Sequence, residues 1–481
     1  MQLLPEIKAY GVSVRIRQIS SERLLFLASF VKNGPSILAF RNTDKSEQKI
    51  DPMRHGGASV LHKRFCTYEN VLLIILAVSF GFAFFDRNAI SYLAPYIVRD
   101  LRINNTQVGM LGSALSLSWA FSAVVIGRWS DAAGVRKPFL VVILLVFSFC
   151  SILSGLSTTF YMLLASRMIM GIAEGPLMPI CLAILTVESS PTRRGLNVGF
   201  VQSVFASLLG AAIAPPVLVQ LAEAFNWRIA FFIAGIPGIL CALAVIRFVR
   251  EPQTAPAAEK AVGAGNGGLA VLFRERNIWL CAGIACLMVS WLMLHQYFLP
   301  LFLTTVRGLT TTQMSLVMSV TGICAAIVGL VGPAISDRAG RKPVIVWALL
   351  LSLITPFAAL YFHGPIPVLA ILMFVGWIGT AAFALFMAVV PGETLPVRYA
   401  ATASGMVVCI GEVIGGSGAP LLGGRAADLT TLAAPIMIAA ACAIGGTILS
   451  LFLKETAPVK VGFPAAAQLE PTAELSREER R

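Results

Sequence analysis

Charge is what this chain has least of. Asp, Glu, Lys and Arg together make up 13% of its 481 residues, and histidine occurs only four times. Soluble domains carry about a quarter charged residues, so this scarcity excludes an ordinary soluble enzyme. No Cys and His pairs stand at zinc spacing, and no Gly-x-x-x-x-Gly-Lys-Ser/Thr stretch is present to cradle a nucleotide phosphate. Metal chemistry and ATP hydrolysis by a recognisable route are set aside, and no cofactor is expected. The nine cysteines are an odd number, and eight of them fall in apolar stretches, so they read as small core residues rather than disulfides.

What fills the chain instead is apolar: 57% of residues are hydrophobic, with a mean hydropathy of +0.81. A helix crossing a bilayer needs about 20 largely apolar residues. Twelve such segments are predicted, at 70–97, 106–128, 138–156, 159–186, 195–221, 228–248, 277–305, 312–335, 343–362, 365–390, 400–422 and 430–453. The fold class is therefore an all-α integral membrane protein, with both termini on one side.

A net charge of +13 could suggest nucleic acid, but its placement argues otherwise. Alternate loops hold Arg128, Arg136, Lys137, Arg193, Arg194, Arg247, Arg250, Lys260, Arg274, Arg276, Arg338, Arg341, Lys342 and Arg398, whereas the opposite loops carry only Arg99, Arg102, Arg228, Arg307 and Arg425. Basic loops stay cytoplasmic, so both termini and the central loop are expected in the cytoplasm of a multi-pass inner-membrane protein. Its surroundings are the lipid bilayer, no nucleic acid is a partner, and a monomer is expected.

Residues 1–69 are basic, and their one apolar run, "LLFLASF", is too short to span and has no cleavage pattern after it. They read as a cytoplasmic extension, or, if translation begins at Met53, largely as an untranslated stretch. Residues 250–276, polar and Ala/Gly-rich, form a linker, and 454–481 an Ala-, Pro- and Glu-rich cytoplasmic tail.

The halves at 70–249 and 277–453 repeat one plan at an offset of about 205 residues. "GRWSDAAGVRKP" from Gly127 matches "PAISDRAGRKP" from Pro333, and "ESSPTRR" from Glu188 matches "ETLPVRY" from Glu393. Two parallel six-helix repeats resemble the major facilitator superfamily, whose halves rock about a central site. The superfamily's loop motif, Gly-x-x-x-Asp-Arg-x-Gly with trailing basic residues, is met by Gly127, Asp131, Gly134, Arg136 and Lys137, with Ala132 in place of Arg. The second copy has Asp337, Arg338, Gly340, Arg341 and Lys342, with Pro333 in place of the first Gly. An acid there can cap a neighbouring helix N-terminus and pair with Arg, closing a gate; the trailing basic residues read equally well as solvated charges that fix topology.

Inside the apolar segments the ionisable residues are Asp86 and Arg87 in the first, Arg167 and Glu174 in the fourth, His295 in the seventh and Glu412 in the eleventh. Each is a functional candidate, because a charge at bilayer depth costs about 2.5–3.5 kcal/mol on insertion scales. Arg167 and Glu174, seven apart, share a helix face at about 10 Å axial separation, while Asp86 and Arg87 diverge by about 100°. Arg87 can thus face the cavity while Asp86 turns toward the fourth segment, giving two bases and two acids that can be buried together.

"FFDRNAISYLAP" and "RMIMGIAEGP" together resemble the anion:cation symporter family, proton-coupled carriers of hexonates, hexuronates, phthalate and related carboxylates, and sialin-like transporters. The resemblance implies a carrier, not an enzyme, that takes up a small organic anion with protons. Arg87 would bind its carboxylate, Asp86 and Glu174 would take up protons, and Arg167 would tune Glu174. Gly171 and Gly175 read as a close-packing pair. His295, Gln296 and Tyr297 stand where relatives line the cavity.

The chain departs from that pattern at Phe84 and Trp119, where the family commonly has Tyr. Either the cavity prefers an aromatic or alicyclic acid to a sugar acid, or the two rings pack the bundle. Glu412 departs too, from an amide; it would bind a second proton or a substrate amine, pair with His295, or bond to backbone. Competing functions are an organophosphate/phosphate exchanger, disfavoured by the absence of Arg and Lys inside the seventh segment, a drug/proton exporter, whose Gly-Pro-x-x-Gly-Gly element the fifth segment lacks, and a non-transporting nutrient sensor.

Overall fold

The computed structural model describes residues 67–190, 193–251 and 274–461. The expectations for residues 1–66, for most of the linker and for the tail beyond 461 lie outside them. Twelve helices are long and apolar enough to span: α1 Tyr68–Leu101, α2 Asn105–Ser130, α3 Lys137–Gly155, α4 Phe160–Glu188, α5 Arg194–Ala224, α6 Trp227–Phe248, α7 Arg276–Thr305, α8 Thr311–Ala339, α9 Arg341–Tyr361, α10 Ile366–Thr394, α11 Tyr399–Leu429 and α12 Ala434–Leu451. All twelve predicted segments are present, and no strand occurs among the described residues. Helix starts follow side-chain capping: Thr159 accepts from the Met162 amide, Asn226 from that of Ile229, and Thr310 and Gln313 cap α8 reciprocally.

Several helices deviate from regular α geometry, α9 at Leu353 and α10 at Ile378–Ala382 and Leu385–Val389 among them; three deviations are rich in Gly, Pro or small residues. α4 breaks at Glu174–Gly175–Pro176, α5 carries wide π-type turns at Phe200–Phe205 and Leu208–Ile213, and α11 carries one at Gly411–Gly418, around Glu412.

In the first half α3 packs on α6, α2 on α4 and α1 on α5; in the second α7 packs on α12 and α8 on α10. The close packing of α4 on α2 is set by Gly171 and Gly175, where a Cβ would strike Leu115 and Trp119 backbone oxygens. The halves meet along α2–α11, α5–α8 and α1–α7. α2 follows α11 from Gly411 to Leu429, while the earlier stretch of α11, up to Ile410, lies on α7. α2 and α11 therefore meet at the face away from the described ends of the chain and part toward the face that carries those ends, whereas α5 and α8 stay in contact from Phe200 to Ala224. Large apolar side chains such as Phe121, Trp129, Tyr161 and Leu422 are exposed around the outside, as a lipid-facing surface requires.

Candidate functional site

The four charges of α1 and α4 come together, but not as ion pairs. Among the described residues none of Asp86, Arg87, Arg167 and Glu174 has an opposite charge within 4.0 Å. The expected balanced set forms at longer range: Arg167 is the cation facing Asp86, and Arg87 is the first of those facing Glu174.

Asp86 has no exposed surface. Its Oδ1 accepts from the Ser151 hydroxyl of α3 at 2.7 Å, and its Oδ2 has no partner. The same hydroxyl lies 2.9 Å from the Phe231 carbonyl oxygen of α6. One hydroxyl hydrogen cannot serve both acceptors well, so an ionised Asp86 competes with backbone for it. A protonated Asp86 would donate to Ser151 and leave that hydroxyl to Phe231.

Arg167, also fully buried, donates to the Ser154 hydroxyl and lies 5.5 Å from the Phe231 ring centre, with Nε and one terminal nitrogen unpartnered. Glu174, 4% exposed, stands at the α4 break with Oε1 unpartnered.

Arg87 is different: it is 8% exposed where Arg167 is fully enclosed, and the Phe84 and Trp119 rings flank its guanidinium at 5.7 and 5.6 Å. Five N–H donors held by two aromatic faces, with no carboxylate of the protein satisfying them, make an anion receptor. Both ring departures thus have a structural role, as walls for the arginine. Trp119 is held in place by the α2–α4 contact at Gly171 and Gly175.

The second half supplies the facing wall. The Tyr297 ring covers Gly112 of α2, and the charged groups around its hydroxyl are Arg87, Arg167, Glu174 and Glu412. The Gln296 amide nitrogen and Glu412 Oε2 are buried without partners. A Cβ at Gly416 would lie 2.6 Å from that Oε2 and 3.6 Å from the Ser116 side chain, which places Glu412 opposite α2.

His295 points elsewhere. Fully enclosed, it donates from Nδ1 to the Trp291 carbonyl oxygen at 2.7 Å, and its ring meets Trp291 at a tilt and Trp377 of α10 edge-on. It makes no pair with Glu412 and has no surface on the cavity in this conformation. The reason is helical: three residues in a row, 295 to 297, cannot all face one side.

The loop motifs fold within each half. Glu251 accepts from the Arg136 and Lys137 amides at 2.5 and 3.0 Å, capping α3, and Glu455 does the same for Arg341 and Lys342 at α9. Asp337, expected to cap a neighbouring helix and to pair with Arg, pairs with Arg341 one turn on, at 2.6 Å; Arg341 also grips Glu393 at 2.8 Å. Arg338 stays exposed and Gly127 faces open space; the Asp131 side chain is outside the described ones. Among the described side chains, none of these motif bonds joins one half to the other.

Reading the sequence missed Ser151 and Ser154. Their signal was present: Ser148, Ser151 and Ser154, every third residue of α3, are all buried, a polar stripe on an apolar helix.

Twelve spanning helices, in two like halves around a buried, unpaired set of charges, define a multi-pass membrane protein of the two-half carrier type. The sequence pattern of the Major Facilitator Superfamily matches residues 76–418 and, again, 298–479; the chain belongs to that superfamily. It is 29% identical over 267 residues to the hexuronate transporter of Bacillus subtilis, covering 54% of this chain and 62%, under two thirds, of that relative's length. It is 26% identical to multidrug resistance protein 1 of the same organism, covering 75% of this chain and 91% of the relative. Among solved structures, a bacterial homologue of the human lysosomal transporter Spinster, inward-facing and occupied, superposes with a TM-score of 0.67 at 18% identity, over 84% of this chain and 99% of that one. That likeness concerns the fold.

Proposed function

We propose that this protein is a proton-coupled symporter that takes up a small organic carboxylate by alternating access. The observation that carries the reading is Arg87, a buried guanidinium walled by Phe84 and Trp119 and left without an acid of its own. A substrate carboxylate supplies the missing partner.

Protons enter through Asp86 and Glu174, whose unpartnered oxygens are buried beside the arginines. Moving an anion through the bundle with two fixed cations and two ionised acids would strand a charge. Protonating an acid as the anion binds keeps the cavity near neutrality, so each ligand lowers the cost of the other. The Ser151 contact fits this, since both of its hydrogen bonds are satisfied when Asp86 carries a proton. The likeness to a hexuronate transporter supports a carboxylate; the walls around Arg87 favour an aromatic or alicyclic one over a sugar acid. Basic loops orient the face toward which α2 and α11 part to the cytoplasm of the inner membrane.

Proteoliposomes with an inward proton gradient test this with benzoate, phthalate, a hexuronate and a hexonate. Accumulation of at least one acid, abolished by a protonophore, is expected. Competition by hexuronate and hexonate but not by benzoate or phthalate would overturn the aromatic preference. A second reading, a drug/proton exchanger, rests on the likeness to multidrug resistance protein 1; outward movement of a lipophilic cation, with no acid accumulated, would establish it instead.

A further inference from the structure

We propose that Glu223 and Asp428 form a duplicated latch at the closed face, one carboxylate from each half gripping the start of a helix in the other. The latch sets the balance between the conformation seen here and one open to that face. It rests on the two-half geometry and is independent of which substrate is carried.

α2 and α8 begin with the same device. In "NNTQ" the Gln107 amide donates to Asn104 Oδ1 at 2.8 Å and the Asn104 amide to Gln107 Oε1 at 2.9 Å. In "TTTQ", 206 residues later, Thr310 and Gln313 make the same reciprocal bonds, at 3.2 and 3.0 Å. Each box leaves a pair of polar residues inside it, Asn105–Thr106 and Thr311–Thr312, and these are what the opposite half takes.

Asp428, in the last turn of α11, accepts four bonds from α2. Oδ1 takes the Asn105 amide and side chain at 3.0 and 2.9 Å, and Oδ2 takes the Thr106 amide and hydroxyl at 2.8 and 2.6 Å. Glu223, in the last turn of α5 and 205 residues earlier, accepts from the Thr311 hydroxyl and, at 3.3 Å, that of Thr312 on α8. Tyr96 of α1 adds a bond at 3.4 Å, with Arg99 the cation nearby. The two contacts are thus related by the same repeat that relates the halves.

Two observations make this a device rather than a chance contact. A carboxylate at a helix start is favoured by the helix dipole, and both occurrences sit there; Asp428 takes two orphan amides of α2 as well, whereas Glu223 takes hydroxyls of α8. The surfaces behind Asp428 are also cut to close: a Cβ at Gly109 would strike the Pro420 carbonyl, and one at Gly424 the Asn105 backbone. Asp428 has no cation within 4.0 Å among the described residues, and both carboxylates are exposed. Opening the latch therefore leaves water on each group and strands no buried charge, which suits a contact that breaks in every cycle.

Losing one such cap shifts a two-state balance by about fivefold. The test uses the full chain with its cysteines replaced and spin labels at Arg102→Cys and Thr431→Cys, on the loops flanking the α2–α11 contact. Asp428→Ala and Glu223→Ala should each move pulsed-EPR distances from the short to the long population about fivefold, and the double variant further. Asp428→Asn, which keeps one acceptor without the charge, should fall between. Glu251→Gln, a cap of the same kind lying within one half, should leave the distances unchanged. An unshifted double variant, or an equal shift in Glu251→Gln, would overturn the proposal.

Discussion

Replacing Arg87 with alanine should remove substrate binding while leaving a folded protein. A bidentate guanidinium–carboxylate contact makes two charge-assisted hydrogen bonds at about 1.5–3 kcal/mol each, so about 3–6 kcal/mol is at stake, two or more orders of magnitude in Kd. The structural cost is smaller. Arg87 pairs with no acid, so its loss directly orphans none, and the two ring contacts at 5.7 and 5.6 Å are worth about 1–2 kcal/mol together. Thermal stability with and without ligand separates the two. At a benzoate or phthalate concentration about 100 times the Kd, a one-site protein gains about 2.7 kcal/mol. With Kd weakened about a hundredfold the gain falls to about 0.4 kcal/mol, a shift close to zero. Arg87→Lys keeps the charge without the fork and should lose about tenfold. If Arg87→Ala kept most of the ligand-induced shift, the carboxylate would be bound elsewhere and the reasoning from the unpaired guanidinium would fail.

Other expectations follow from the same geometry. Asp86→Asn and Glu174→Gln should each end proton-driven accumulation while exchange of internal for external substrate continues; two acid variants that still concentrate substrate would refute coupling through these groups. Gly171→Ala should destabilise the protein by about 1–3 kcal/mol and disturb substrate affinity through Trp119, since the added methyl meets α2 backbone; an unchanged melting temperature would contradict that packing. Partial burial pushes the Glu455 carboxyl up, but the amides of Ala457, Arg341, Thr456 and Lys342 outweigh it and hold it below the usual range. A depressed acid contributes stability that is complete above the ordinary glutamate value of about 4.3 and is lost as pH falls through the lower folded value. Melting curves across that window should be steeper for the unmodified protein than for Glu455→Gln; parallel curves would count against the cap.

The sequence by itself determined the twelve spans and the duplication. Both come from patterns along the chain: runs of about 20 apolar residues, and loop motifs such as "SDAAGVRKP" and "SDRAGRKP" at a fixed offset. It also picked out Asp86, Arg87, Arg167 and Glu174, because ionisable residues stand out against apolar helices. Only the tertiary structure decided how they are used. Periodicity says which face of its own helix a residue occupies, but not which other helix lies against that face. Hence Ser151 beneath Asp86, the rings either side of Arg87, the enclosure of His295 against Trp377 and the grip of Arg341 on Glu393 needed the packing. The caps at α2 and α8 were written in "NNTQ" and "TTTQ", yet their partners Asp428 and Glu223 lie 322 and 88 residues away. Separation along the chain carries no signal of contact in space, and it took the folding of one half against the other to join them.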